Sequence, residues 1–247
     1  MPDHDFRSPR LFTPAKLFAA AVLEASPEQA NYLANVMRLE EGASVLLFNG
    51  QDGEWRASFH RPAKKRVELR VDVQLRPQPP LPDLHYLFAP LKHARLDYMV
   101  QKAVEMGAGR LQPVMTQHCQ APRINIARMQ ANAQEAAEQC GILAVPDCVE
   151  MARLPQLLES WDASRQLIFC DERAADHSPQ QLLAPFAGRP LAVLIGPEGG
   201  FSQTERTLLT GCGFVTAISL GPRILRADTA AVAALALVQA VAGDWPR

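Results

Sequence analysis

The chain has 247 residues, of which 48% are hydrophobic, and its 25 Lys+Arg stand against 26 Asp+Glu for a net charge of −1. That length allows one large or two small domains, and the composition is that of an ordinary globular protein. A near-neutral balance excludes a globally basic nucleic-acid binder, so any such partner must be met by a local patch. The five cysteines (Cys119, Cys140, Cys148, Cys170, Cys212) form no C-x-x-C pair. An odd, scattered set predicts reduced thiols in a cytoplasmic protein, with no disulfide frame and no metal site. Met1 to Arg10 is polar with no apolar core behind it, so no signal peptide is expected. The apolar run from Ala230 to Ala242 is interrupted by Gln239 and is too short to span a bilayer, so no membrane partner is expected.

Residues 1 to 76 read as β-rich. Pro27 to Met37 is predicted helical, because Ala30, Leu33, Ala34 and Met37 share a face. Val45 to Phe48 is a strand followed by the turn signal Asn49-Gly50, and Asp52-Gly53 precedes another strand from Trp55 to Phe59. Lys64-Lys65-Arg66 is a basic turn. Val67 to Leu75 then alternates apolar and polar, the pattern of a strand with one wet face. The set reads as a small β-barrel. Arg7, Arg10 and Arg61 are candidates to join Lys64, Lys65 and Arg66 in a phosphate-contacting patch. Residues 77 to 83 are rich in proline and form a semi-rigid linker, the best domain boundary.

From residue 84 onward strands and helices alternate. Strands are predicted at His85–Ala89, Leu111–Met115, Gln166–Cys170, Leu191–Ile195 and Phe214–Leu220. Helices are predicted at Arg95–Met106, closed by Gly107, at Ile126–Gln139, closed by Gly141, and at Ser202–Cys212. Ser202 and Glu205 have capping-box spacing. This alternation argues for an α/β domain with a parallel sheet.

Two stretches near the C-terminus stand apart: Leu194-Ile195-Gly196-Pro197-Glu198-Gly199-Gly200-Phe201 and Leu220-Gly221-Pro222-Arg223-Ile224-Leu225-Arg226-Ala227-Asp228-Thr229. Each begins where a short apolar strand meets Gly-Pro. Glycine accepts unusual backbone angles and proline offers no N–H to a ladder, so both strands stop there. The two loops are expected to leave one edge of one sheet, where open α/β sheets bind ligands. The first loop is no phosphate cradle. It lacks the Lys-Ser/Thr pair, and Glu198 would repel phosphate. Glycine backbone with one carboxylate suits a neutral or cationic small molecule.

The pair of motifs resembles the bacterial ribosomal RNA uridine-N3 methyltransferases that modify small-subunit rRNA, members of the SPOUT superfamily of knotted methyltransferases. The likeness extends over nearly the whole chain. It implies a C-terminal SPOUT α/β fold with a trefoil knot over residues 84–247, after an N-terminal PUA-like RNA-binding β-barrel over residues 1–76. It also implies S-adenosylmethionine as cofactor, 16S rRNA or the small ribosomal subunit as partner, and a homodimer. Glu172, Ile195, Gly196, Glu198, Gly199, Leu220, Gly221 and Leu225 are the expected cofactor-binding residues. For the reaction, Arg226 is expected to face the anion that forms when uridine N3 loses its proton. Asp228 is a candidate base with Glu198 second, although Asp228 equally suits a helix N-terminus. Lys92 and Lys102 match family positions but read most simply as surface lysines. The chain departs from the family at Ile142, where Arg is usual, and at Gln117-His118, where an acidic-basic pair is usual. Two other readings stay open: an RNA ribose 2′-O-methyltransferase, and a non-catalytic RNA-binding assembly factor.

Overall fold

A computed structural model describes residues 5, 7–64, 66–119, 121, 123–174 and 178–245, with no account of the His93 side chain. The chain forms two compact units, one of residues 1–80 with 137–145, the other of residues 81–136 with 146–247. Each is described separately.

The first unit contains β1 (Arg10–Phe12), β2 (Val22–Glu24), α1 (Pro27–Asn31), β3 (Ser44–Phe48), β4 (Glu54–Ala63) and β5 (Arg66–Arg76). The strands pair in the order β1-β3-β4-β5-β2. Register shifts between β4 and β5 at three places bend the pair. Its core gathers Leu11, Leu33, Val45, Leu47, Phe59, Val67, Leu69 and Val71. The alternation along β5 matches burial only to Val71; Val73 and Leu75 are each 42% exposed, so the apolar pattern runs past the core. The expected helix from Pro27 is capped by Ser26 and Gln29, each bonding the other's backbone N–H, but it changes to a π turn at Tyr32–Val36.

One centre in this unit corrects an expectation. Arg10 is not a surface cation. Its side chain is 8% exposed, and its Nε lies 2.7 Å from Glu54, which also receives Arg76 Nε at 2.7 Å. Arg76 further donates to the carbonyl of Gly141 at 3.0 Å. Arg10 therefore belongs to a buried ion-pair centre, where a phosphate does not reach it.

The second unit contains β6 (Leu84–Phe88), α2 (His93–Glu105), β7 (Arg110–Met115), α3 (Ile126–Cys140, whose last turn belongs to the first unit), β8 (Asp147–Cys148), β9 (Ala152–Arg153), α4 (Leu154–Glu159), β10 (Gln166–Cys170), α5 (Pro179–Leu183), β11 (Leu191–Ile195), α6 (Gln203–Thr210), β12 (Val215–Ile218) and α7 (Ala227–Val241). The sheet order is β12-β10-β11-β6-β7-β8, with β9 pairing beside β7, and every pairing is parallel. Parallel neighbours require crossovers, which here carry the helices. All five residues of β11 are buried, as a strand covered on both faces must be. Gly107 follows α2 at φ 80° and Gly141 follows α3 at φ 67°, left-handed positions that glycine fills without strain. No helix among the described residues is long and apolar enough to cross a membrane.

Candidate active site

The carboxyl ends of β10, β11 and β12 open onto one cleft of about 390 Å³. That volume suits a small organic ligand. Its wall contains all eight residues expected to bind cofactor, together with Arg226. The two Gly-Pro loops thus meet because β11 and β12 both flank β10 and run parallel to it.

The first loop is fixed at several points. Ser202 caps α6: its hydroxyl accepts the Glu205 N–H at 3.3 Å, while Glu205 accepts the Ser202 N–H at 2.9 Å. Glu205 also accepts the N–H of Gln117 at 2.7 Å, which binds the loop after β7 to the same helix start. His118 Nδ1 donates to the Gly200 carbonyl at 3.0 Å. Gly200 takes φ 69°. Phe201 enters the core edge-on against Phe169, with ring centroids 5.0 Å apart.

That packing alters the role of Gly196. A Cβ there would collide with the Phe201 ring, so glycine is demanded by the core and not by ligand space. Gly221 is different. It takes φ 100°, and nothing lies within 4 Å of a Cβ built on it. Open space beside its backbone, next to the apolar Ile195, Leu220 and Leu225, fits the flat hydrophobic part of a nucleoside-type ligand. The carboxylates of Glu172 and Glu198 on the same wall fit a cation. The cleft therefore meets the steric and charge demands of S-adenosylmethionine.

The reaction candidates separate. Arg226 is exposed and lines the cleft; it is also the N-cap of α7, without a side-chain capping bond. Glu198 lines the cleft too and pairs with Arg95. Asp228 stands in the first turn of α7, outside the residues lining the cleft, and its Oδ1 accepts the Thr229 N–H at 2.9 Å.

Sequence reasoning missed several residues here. Arg95 comes from α2, 103 positions before its partner Glu198. Asp171, 4% exposed, pairs with Arg206 from α6, which also lies 3.8 Å from Glu172. These partners meet only through sheet order, so no local motif announces them. Cys170 lines the cleft, but burial and then the neighbouring Asp171 push its thiol up to about 12, so it is a neutral wall and no nucleophile. Among the described residues, no group of three His, Cys, Asp or Glu could hold a metal ion.

In the first unit the basic candidates also separate. Arg61 and Lys64 are exposed at the β4–β5 hairpin, where the Arg61 guanidinium donates to the Lys64 carbonyl at 2.7 Å. Arg66 is 55% exposed and lies 3.2 Å from Glu68. Arg7 is exposed ahead of β1, which β3 separates from β4. Lys65 lies outside the described residues.

Comparison with known proteins agrees with this geometry. Residues 77–239 match the model of the RNA methyltransferase domain, and residues 26–72 match that of the RNA methyltransferase PUA domain. A protein of Rickettsia conorii named ribosomal RNA small subunit methyltransferase E is 29% identical over 93% of this chain and 94% of its own. The Bacillus subtilis protein of that name is 26% identical over 92% and 93%. Among solved structures, a Legionella pneumophila methyltransferase with SAM bound superimposes at a TM-score of 0.80, with 30% identity, covering 95% of this chain and 98% of its own. The Neisseria gonorrhoeae ribosomal RNA small subunit methyltransferase E bound to S-adenosyl methionine gives 0.79 with 27% identity, covering 97% and 100%. A cleft at the carboxyl ends of parallel strands, a PUA domain ahead of it and relatives along almost the full length all agree: the chain belongs to the RNA methyltransferase family.

Proposed function

We propose that this protein transfers methyl from S-adenosylmethionine to N3 of a uridine in small-subunit ribosomal RNA. The observation that carries the reading is that one cleft gathers both Gly-Pro loops and Arg226. The cofactor supplies an electrophilic methyl group. The loops at 195–199 and 220–225 hold it through backbone and apolar contacts, with Glu172 at the rim. Uridine N3 must lose a proton before it attacks. One carboxylate accepts that proton, Asp228 being the first candidate and Glu198, which lines the cleft, the second; both face Arg95, and Arg226 stabilises the resulting anion. N3 lies on the pairing edge, so the uridine must be unpaired or flipped out.

RNA contact falls to Arg61, Lys64 and Arg66 at the hairpin of the first unit, with Arg7 as an outlying cation and Lys65 between them in sequence. Neutralising Arg61, Lys64 and Arg66 should weaken RNA binding and flatten its salt dependence. The family's trefoil knot is supported by α7, which follows the edge strand β12 yet returns to pack on β11 and α2. Homodimerisation is supported by the same helix: Val232, Ala233, Ala236 and Leu237 are only half-buried and Ala240 is exposed. Action on ribosomal RNA supports a cytoplasmic location.

Nucleoside mass spectrometry of 16S rRNA from cells lacking the protein tests the reading. Loss of one N3-methyluridine, restored by the wild-type chain, is expected. Loss of a ribose methyl would transfer the chemistry to the sugar. Unchanged nucleosides would remove rRNA methylation altogether.

A further inference from the structure

Arg95 lies in the first turn of α2, with its side chain 31% exposed. It pairs with Glu198 in the first Gly-Pro loop, and its Nε is 4.0 Å from Asp228 Oδ2 in the first turn of α7. Asp228 follows Ala227 and precedes Ala230, both of which line the cleft. One guanidinium thus faces carboxylates from two segments that both contribute residues to the cleft wall. We propose that Arg95 is a positioning residue for methyl transfer, tying the first Gly-Pro loop to the start of α7 through Glu198 and Asp228. The proposal rests on the methyltransferase reading of the cleft.

The loop needs such a tie. It contains Gly196, Gly199 and Gly200, which restrain the backbone little. Phe201 and the His118–Gly200 bond hold its far end. Glu198 lies in the span between Gly196 and Gly199, and Arg95 secures it there. A planar guanidinium can face two carboxylates at once from fixed nitrogens, whereas an ammonium is a single point charge. Displacement of either segment by about 1 Å would cost about 10²-fold in rate.

Hydrogen exchange on cofactor-free wild-type, Arg95→Met and Arg95→Lys proteins gives the first test. In Arg95→Met, the amides of 197–201 (less Pro197) and of 227–231 should exchange faster together, while β6 and β10 stay unchanged. Arg95→Lys should loosen at least one of the two segments. Steady-state kinetics on small-subunit RNA gives the second. Arg95→Met should lower kcat about 10²-fold with little change in KM for RNA, and should add little further loss to Glu198→Gln. In Arg95→Met, unchanged exchange in either segment or a uniform rise across the whole unit would overturn the proposal, as would Arg95→Lys exchange unchanged in both segments or losses that multiply in the double variant. A wild-type protein that binds no S-adenosylmethionine would defeat the methyltransferase reading instead; the exchange test needs no cofactor and still decides whether Arg95 joins the two segments.

Discussion

The side-chain amide of Gln239, in the last turn of α7, donates to the backbone carbonyl of Met106 at the end of α2, 2.8 Å away. Its Oε1 accepts the Asp244 N–H at 3.0 Å, and the residue is 3% exposed. One buried amide thus closes the ends of two helices, and it explains the polar interruption in an apolar helix. Gln239→Leu would take this partner from the Met106 carbonyl and from the Asp244 N–H, two part-buried hydrogen bonds. Chemical denaturation should show a loss of about 1–3 kcal/mol. A neutral change would mean that water satisfies both groups.

Glu54 should be the most sensitive carboxylate of the first unit. Burial raises its pKa, but hydrogen bonds from Arg76 and Arg10 outweigh burial and hold it below the ordinary value. A lowered folded pKa gives stability that is present above the unfolded value and is lost as pH falls through the folded one. Glu54→Gln leaves two guanidiniums without their counter-charge and should cost about 3–5 kcal/mol at neutral pH. The difference between variant and wild type should shrink in acid. Equal stability at neutral pH would show that the centre contributes nothing.

His85 at the start of β6 provides a second pH signal. Burial, then Arg165 and Arg110, lower its pKa to about 4, while Asp83 opposes them. The unfolded chain therefore binds a proton near pH 6.5 that the folded chain refuses until about pH 4. This contribution is complete above pH 6.5 and falls as pH drops through that window, by at most about 1.4 kcal/mol per unit. His85→Gln should flatten that part of the stability profile. An unchanged slope would assign the proton uptake to another group.

Three substitutions separate cofactor binding, folding and chemistry. Gly221→Val forces a branched residue to φ 100° and fills open space in the cleft, so calorimetry should show weakened S-adenosylmethionine binding. Gly196→Val should chiefly lower thermal stability, because its side chain meets Phe201. Arg226→Ala should keep cofactor affinity and lower turnover by about 10²-fold. Near-normal turnover would remove Arg226 from the reaction.

The choice of interface variant also follows from burial. Ala234 is fully buried inside one chain, so a charge there would damage the fold itself. Ala236, on the half-buried stripe of α7, is the proper site. Sedimentation of the wild type at micromolar concentration should give a dimer, and Ala236→Glu should give a folded monomer. A wild-type monomer that still methylates RNA would show that pairing is not required.

Much of the second unit was legible because each long element carries its own signal. β10 and β11 lie where their apolar runs do, and Ser202 with Glu205 caps α6 as their spacing predicts. β8 and β9 have two residues each, too few for any period to register. The cleft wall was legible through Gly-Pro, since backbone geometry is written locally. Arg95, Asp171 and Arg206 were not, because an ion pair between distant segments leaves no trace in either one. Arg10 misled for the same reason: a cation beside proline looks exposed until Glu54 is brought to it by strand pairing.

Residues 137–145, which complete the first unit, are synthesised long after Arg76. Until they emerge, the Phe12 N–H lacks the Glu138 carboxylate that it meets at 2.7 Å, and Arg76 lacks the Gly141 carbonyl. During translation the first unit must therefore wait, unfinished, while the first two strands of the second are made. A gene fragment cut at the proline-rich stretch would encode a piece with permanently missing partners, so the two units must be inherited together.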